Sequence, residues 1–356
     1  MLFFHILGAN ESCICWKLYL GCHAIGFTML CMKNLYCFLS LIALLLCACT
    51  PLAHKNSLAY ITNQGDNTVS VIAISNSNGS LAKVIHTVKV GKSPVGVAVS
   101  PALKRVFISN VDSSTISVIN TQTNQVVATI KTGGSPVGIA ISPNNHALYV
   151  ADWYSDRILE INTADYTKQR EVIIATAPAG LVVSPDSKIL YVAARDSNEI
   201  AVVDAASFKI IKRISVGKHP FGLALSANGS TLYSVNVYEK TVSVINTSTW
   251  QQSRIKVGEH PYCAAPSPDN KVLYVTNTQD DTVSVIDVSS QKIIATIDVG
   301  ATPEGISFDA ATKQVLVASW GENKVSVIDA NTNKLKVDIK TGDKSRAFGQ
   351  FILSEQ

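Results

Sequence analysis

Six proline-centred phrases punctuate this chain at almost constant intervals. "SPVGVAVSP" carries Pro94, "SPVGIAISP" Pro136, "APAGLVVSP" Pro178, "HPFGLALSA" Pro220, "HPYCAAPSP" Pro261 and "TPEGISFDA" Pro303, so successive prolines stand 41 or 42 residues apart. A fixed period of this length points to stacked or ring-closed repeats. Within each period, short β-branched runs alternate apolar and polar residues and are separated by Gly, Pro, Asn and Asp. These are strand and turn signals with no helical stretch between them. The unit beginning at Pro220 predicts strands at 222–226, 231–235, 241–245 and 253–257. Four antiparallel strands per unit make one propeller blade.

The number of units predicts how the ring closes. Third-strand phrases of the type "TVSVI" begin near Thr68, Thr115, Arg157, Glu199, Thr241, Thr282 and Lys324, which makes seven, whereas the proline phrase occurs six times. The repeating body opens at "LAYITN" (58–63), already a second strand, and "RAFGQFIL" (346–353) reads as an inner strand with nothing after it. The sequence therefore predicts an all-β fold over residues 58–353. It is a seven-bladed β-propeller of four-stranded antiparallel blades, with the first blade completed by the C-terminal strand. Such closure removes most of the exposed strand edge.

The second-strand phrase "YVTNTQDDTVSVID" (274–287) has near copies from Tyr60, Phe107 and Tyr233. It resembles the YVTN-type repeat of the YncE-like β-propellers, and the resemblance runs through all seven units, from about Ser57 to Leu353. The resemblance implies the propeller fold. For activity it implies a broad class of receptors, carriers, lactonase-like and lyase-like enzymes and surface-layer proteins, so function has to be argued from a site.

Composition narrows the classes. Apolar residues make up 47% of the chain, enough for a sizeable core, while only 16% are charged and the net charge is +4. That is no clustered basic footprint, and nucleic acid is not expected as a partner. Seven of the eight cysteines (Cys13, Cys15, Cys22, Cys31, Cys37, Cys47, Cys49) precede residue 50 and only Cys263 follows, so the repeating body is held by packing without an internal disulfide.

The N-terminal part reads as an address. "MKNLYCFLSLIALLLCACT" from Met32 has a basic start at Lys33, an apolar run from Leu35 to Leu46 and then small residues, the layout of a secretory signal. "LCAC" (46–49) resembles a bacterial lipobox, which implies lipidation at Cys49 and a membrane-anchored lipoprotein of the bacterial cell envelope. Thr50, standing where an Asp would retain such a protein, implies the outer membrane, with the protein facing the periplasm. Residues 1–48 are thus expected to be a signal segment whose true start is Met32, and 49–57 a lipidated tether.

A residue written into most blades serves the ring, so a functional site is expected where the repeat is broken. Thr–Asn pairs at 62–63 and 276–277, with Ser109–Asn110, are expected to hold the next loop by local hydrogen bonds. Small residues such as Gly96, Gly138 and Gly222 suit inner strands converging on a narrow axis. Around the channel mouth, the residues flanking the early prolines are bland (Ser93, Val95, Ser135, Val137, Ala177, Ala179), but the later ones are His219 and Phe221, His260 with Tyr262 and Cys263, Thr302 with Glu304, then Arg346. Loops on the same face add Asp152, Trp153, Tyr154, Asp156, Arg195, Asp196, Tyr238, Glu239, Trp320 and Glu322.

The predicted ligand-binding set is His219, Phe221, His260, Tyr262, Glu304, Arg346, Trp153, Tyr154, Arg195, Tyr238 and Trp320. Its aromatic rings supply contact area and its charged groups orientation. The expected function is non-catalytic binding of a small ligand or an envelope protein at the mouth, with no cofactor. Two alternatives stand beside it. In a metal-assisted hydrolase or lyase of lactonase type, His219, His260 and Glu304 would hold a divalent metal with an open position for water. In the other, the propeller is a carrier or assembly factor for a redox cofactor. Cys263 in place of glycine and Pro266 in the same inner strand read as a locally altered channel wall. No catalytic residue is marked by spacing.

Overall fold

The computed structural model describes residues 57–74 and 82–354. The signal segment, Cys49 and the tether up to residue 56 lie outside the described residues. The period-2 runs become strands where the sequence places them: third strands start at Thr68, Thr115, Arg157, Glu199, Thr241, Thr282 and Lys324. Seven sheets follow one another around the ring, each with a four-stranded antiparallel blade. Blade 1 holds Ser57–Asn63, Thr68–Ile74 and Lys83–Lys89, and blades 2 to 7 begin at Pro94, Pro136, Pro178, Pro220, Pro261 and Pro303. Middle strands are buried on both faces, with Val283, Val285 and Ile286 fully covered and Ser284 nearly so.

The YVTN phrase divides its work residue by residue. The tyrosine reaches the neighbouring blade: Tyr274 Oη donates to Asn333 Oδ1 (2.9 Å) and Tyr233 Oη to Asn270 Oδ1 (2.7 Å). Burial pushes both hydroxyls up to about 12, so they stay protonated donors. The threonine also ties blade to blade. Thr276 Oγ1 donates to the Glu304 carbonyl (3.1 Å), Thr62 Oγ1 to that of Val95 (3.1 Å), and Ser109 Oγ to that of Val137 (2.9 Å).

The asparagine clamps its own blade. Asn277 Nδ2 donates to Thr282 Oγ1 (3.0 Å) and Ser284 Oγ (2.9 Å), while its Oδ1 accepts from the Gly258 amide (3.2 Å). Asn63 repeats all three bonds, the third from Gly342. The expected Thr–Asn hydrogen bonding is therefore present, with the threonine acting across blades. The inner-strand glycines have a sharper reason than narrowness: a Cβ at Gly138 would stand 2.0 Å from the Ala179 carbonyl oxygen of the next blade, and one at Gly222 2.5 Å from that of Tyr262.

The C-terminal segment closes the ring, but as two short strands. Ile352–Ser354 pairs antiparallel with Ser57–Asn63 and completes blade 1, while Phe348–Gln350 pairs in parallel with Pro94–Ser100 of blade 2. Asn63 faces Ser345 and Ala59 faces Ile352, so four steps along one strand match seven along the other. The extra residues form a bulge that turns inward, with Ala347 at φ 60° and Gly349 at φ 112°. The expectation of one continuous inner strand over 346–353 is corrected accordingly.

Replacing Asn277 with Ala removes the partner of the buried Ser284 hydroxyl, of the partly buried Thr282 hydroxyl and of the Gly258 amide. It is expected to destabilise the protein by about 1–3 kcal/mol. The check is the midpoint of denaturant unfolding, and an unchanged midpoint contradicts the clamp.

Candidate functional site

Residues before the prolines are held in the left-handed region, with φ 52° at Ser93, 53° at His219, 47° at His260 and 53° at Thr302. For non-glycine residues this conformation needs support from the surroundings. The support is a side chain from the preceding blade. Asn67 Oδ1 accepts from the Ser93 amide (2.9 Å), Asn198 Oδ1 from His219 (2.8 Å) and Asp281 Oδ1 from Thr302 (2.8 Å). The same device in several blades presents a different side chain at each, so a local change of residue becomes a site.

Across blades 3 to 6 these side chains form one continuous row. The Arg195 guanidinium lies 5.4 Å from the Trp153 ring centre and 5.8 Å from that of Tyr238, within cation–π range of both. Its far side is met by Asp196 at 2.6 Å. The His219 ring packs on Tyr238 at 4.3 Å between centres, and His260 meets Tyr238 edge-on at 5.4 Å. Neither imidazole Nδ1 has a hydrogen-bond partner. Burial first, and the nearby Arg195 charge second, hold His219 below the ordinary imidazole range, so it is neutral at pH 7. Tyr238 is 52% exposed and the adjacent Tyr154 81%, while Trp153, Arg195, His219 and His260 are partly buried.

A second group of expected ligand residues is inside. Phe221 stacks on Tyr262 at 4.1 Å and packs on Phe348 at 4.9 Å, with Trp153 5.8 Å away on the other side. Phe348 is delivered by the C-terminal bulge, and no departure from the repeat marked its role in advance. Below it, Arg346 Nε is hydrogen-bonded to Glu304 Oε2, and its other nitrogens donate to Tyr262 Oη (3.0 Å) and Gln64 Oε1 (3.3 Å). Trp320 Nε1 donates to the same Gln64 oxygen at 3.1 Å.

Desolvation raises the Glu304 carboxyl, with Arg346 opposing, and desolvation likewise raises Tyr262. Glu304, Arg346 and Tyr262, each partly buried, therefore pack with the buried Phe221 into one plug. Cys263 is buried, and burial pushes its thiol well above the usual range, which leaves it an unreactive wall residue.

The expected metal set is not brought together. Glu304 is engaged by Arg346, and both imidazoles pack on Tyr238. Among the described residues, no group of three or more His, Cys, Asp or Glu side chains is placed to hold a metal ion. Other loop carboxylates are engaged as well: Asp152 with Arg157 (2.9 Å), Glu239 with Arg254 (2.6 Å) and Glu322 with Lys324 (2.7 Å). On the far side of the plug, the axial channel widens into a cavity of about 500 Å³ lined by inner strands of blades 2 to 7 and by Phe348, Gly349 and Gln350.

The YNCE-like beta-propeller family model matches residues 222–299, and that of the Lactonase, 7-bladed beta-propeller family matches 48–127 and 157–250. Each match covers less than half of the chain, and both are consistent with a propeller of the YncE-like kind. No curated protein matches it. Among solved structures, hydrazine synthase of Kuenenia stuttgartiensis aligns with a TM-score of 0.67 at 21% identity, over 76% of this chain and 91% of that one. A functionally unknown protein from Desulfotomaculum acetoxidans gives 0.71 at 13% identity, over 84% and 98%. A protein from Lactobacillus plantarum gives 0.71 at 15%, over 85% and 100%. At these identities the likeness is one of fold.

Substituting Arg346 by Met leaves Glu304 buried without its counter-charge and is expected to destabilise the fold by roughly 3–5 kcal/mol. Combining it with Glu304→Gln should recover much of that loss. A double-mutant cycle on unfolding free energies checks this, and additive effects contradict the pairing.

Proposed function

We propose that this chain is a lipid-anchored, periplasm-facing propeller of the bacterial outer membrane, held through Cys49. It binds a small ligand or a partner protein on its proline-side face without chemistry. The observation that carries this reading is the partly exposed row Trp153–Arg195–Tyr238 with its two flanking imidazoles. Exposed aromatic area with one cation held between two rings suits recognition, since aromatic residues and Arg supply most of the energy of binding surfaces. Of the rim carboxylates, Glu304, Asp152, Glu239 and Glu322 are engaged by Arg346, Arg157, Arg254 and Lys324.

A second reading, a lactonase-type hydrolase, is favoured by the match to the Lactonase family model. The two readings separate experimentally. In the binding reading, the Arg195→Ala/Tyr238→Ala double variant retains a species from envelope extract at least about tenfold less than the parent, as loss of one hot-spot contact implies. Equal retention contradicts it. Lactone turnover that is lost both on chelation and in His260→Ala would instead establish the hydrolase.

A further inference from the structure

We propose that the outer edge of blade 5 is a docking edge for an extended acidic segment of a partner protein, which adds to the blade as a further strand. The spacing of the repeat carries the first sign of it. Successive prolines stand 42 residues apart except from Pro220 to Pro261, where one residue is missing. The structure shows which one. In six blades the outermost strand pairs with its neighbour through a bulge that leaves one extra residue: Ile85, Val127, Gln169, Ile211, Ile294 or Lys336. All six are exposed. In blade 5 the strand Gln252–Lys256 runs against Thr241–Asn246 in unbroken register, from Ile245 facing Gln252 to Thr241 facing Lys256.

A bulge bends and twists an edge strand and so spoils it as a template for another strand. The edge of blade 5 lacks that protection. Val257 N donates to Lys240 O (3.0 Å) and Asn246 N to Gln251 O (2.9 Å), so Gln251, Ser253, Ile255 and Val257 turn their backbone bonds inward. The N–H and C=O groups of Gln252, Arg254 and Lys256 therefore point outward along a regular edge. The side chains alternate too. Ile255 is buried in one cluster with Leu273 and Val275 of blade 6, whereas Gln252 Nε2 donates to the Ser215 carbonyl of blade 4 (3.1 Å).

Charge says which strand fits. The outer strands of blades 4 and 5, Lys209–Ser215 and Gln252–Lys256, carry Lys209, Lys212, Arg213, Arg254 and Lys256, all exposed, and no carboxylate. Arg213 is met by Glu199 and Arg254 by Glu239, which leaves the three lysines in no ion pair among the described residues. Two copies of this edge paired about Arg254 would set Arg254 against Arg254, which disfavours a second copy of the chain. A strand with carboxylates on alternate residues meets Arg254 and Lys256 on one face and lays aliphatic side chains beside Ile255 on the other. The edge cations thus turn away like-charged strands and admit an acidic one. Strand addition of this kind draws affinity from backbone bonds and specificity from alternate side chains. The edge shares no residue with the row Trp153–Arg195–Tyr238 and does not rest on the function proposed for it.

The test uses the full-length protein and a fluorescent peptide of alternating Glu and Val, with binding read by anisotropy. Three changes are each expected to weaken that binding at least about tenfold. One is in the peptide: N-methylation along its bonding edge keeps the charge, removes the backbone donors and needs no variant protein to fold. The other two are in the protein. Inserting one isoleucine between Gln252 and Ser253 restores the 42-residue interval and the bulge. Lys256→Pro deletes an outward N–H that the inner ladder does not use, and Lys256→Gln, which keeps that N–H, should bind more tightly than Lys256→Pro. No binding of the acidic peptide to the parent would overturn the proposal. Equal binding of the N-methylated peptide, or of a peptide of alternating Lys and Val, would overturn strand addition or its charge preference. Unchanged binding in both protein variants would place the contact away from this edge. Self-association of the parent that the insertion abolishes would give the edge to a second copy and overturn the acidic partner.

Discussion

Closure of the ring by the last described residues is the constraint on which the other features depend. Residues 345–354 pair with two blades at once, antiparallel to blade 1 and parallel to blade 2. The three extra residues in that ladder carry Phe348 into the axis, and the start of the same segment presents Arg346 to Glu304. One short stretch of backbone thus welds the ring, plugs the channel and neutralises a buried carboxylate. The same closure pairs the inner edge of Ser57–Ala59 with Ile352–Ser354.

The fold was legible because its signals are local and repeated. Period-2 alternation located each third strand at its first residue, from Thr68 to Lys324, and unit counting located the closing segment. The division of that segment at Phe351 was not legible. It depends on how far the bulge must reach toward blade 2, which is a property of the assembled ring. The glycine pattern was visible, but its cause, the approach of a carbonyl from the next blade, is a contact between residues 40 or 41 positions apart.

The site was legible only by half. Looking for departures from the repeat found Arg195, Tyr238, His219 and His260, and the structure joins them in one row. The same search found Glu304 and Arg346 but could not tell that they would pair with each other, since they are separated along the chain and meet only through closure.

The central claim is tested most directly by thermal unfolding of a chain ending at Ser345, compared with the parent. Without its closing strands, blade 1 loses its inner partner and Glu304 is left buried with no cation beside it, so the account predicts loss of the parent's cooperative transition and a marked fall in midpoint. A truncated chain that melted cooperatively at the parent's temperature would contradict ring closure by the C-terminal strands.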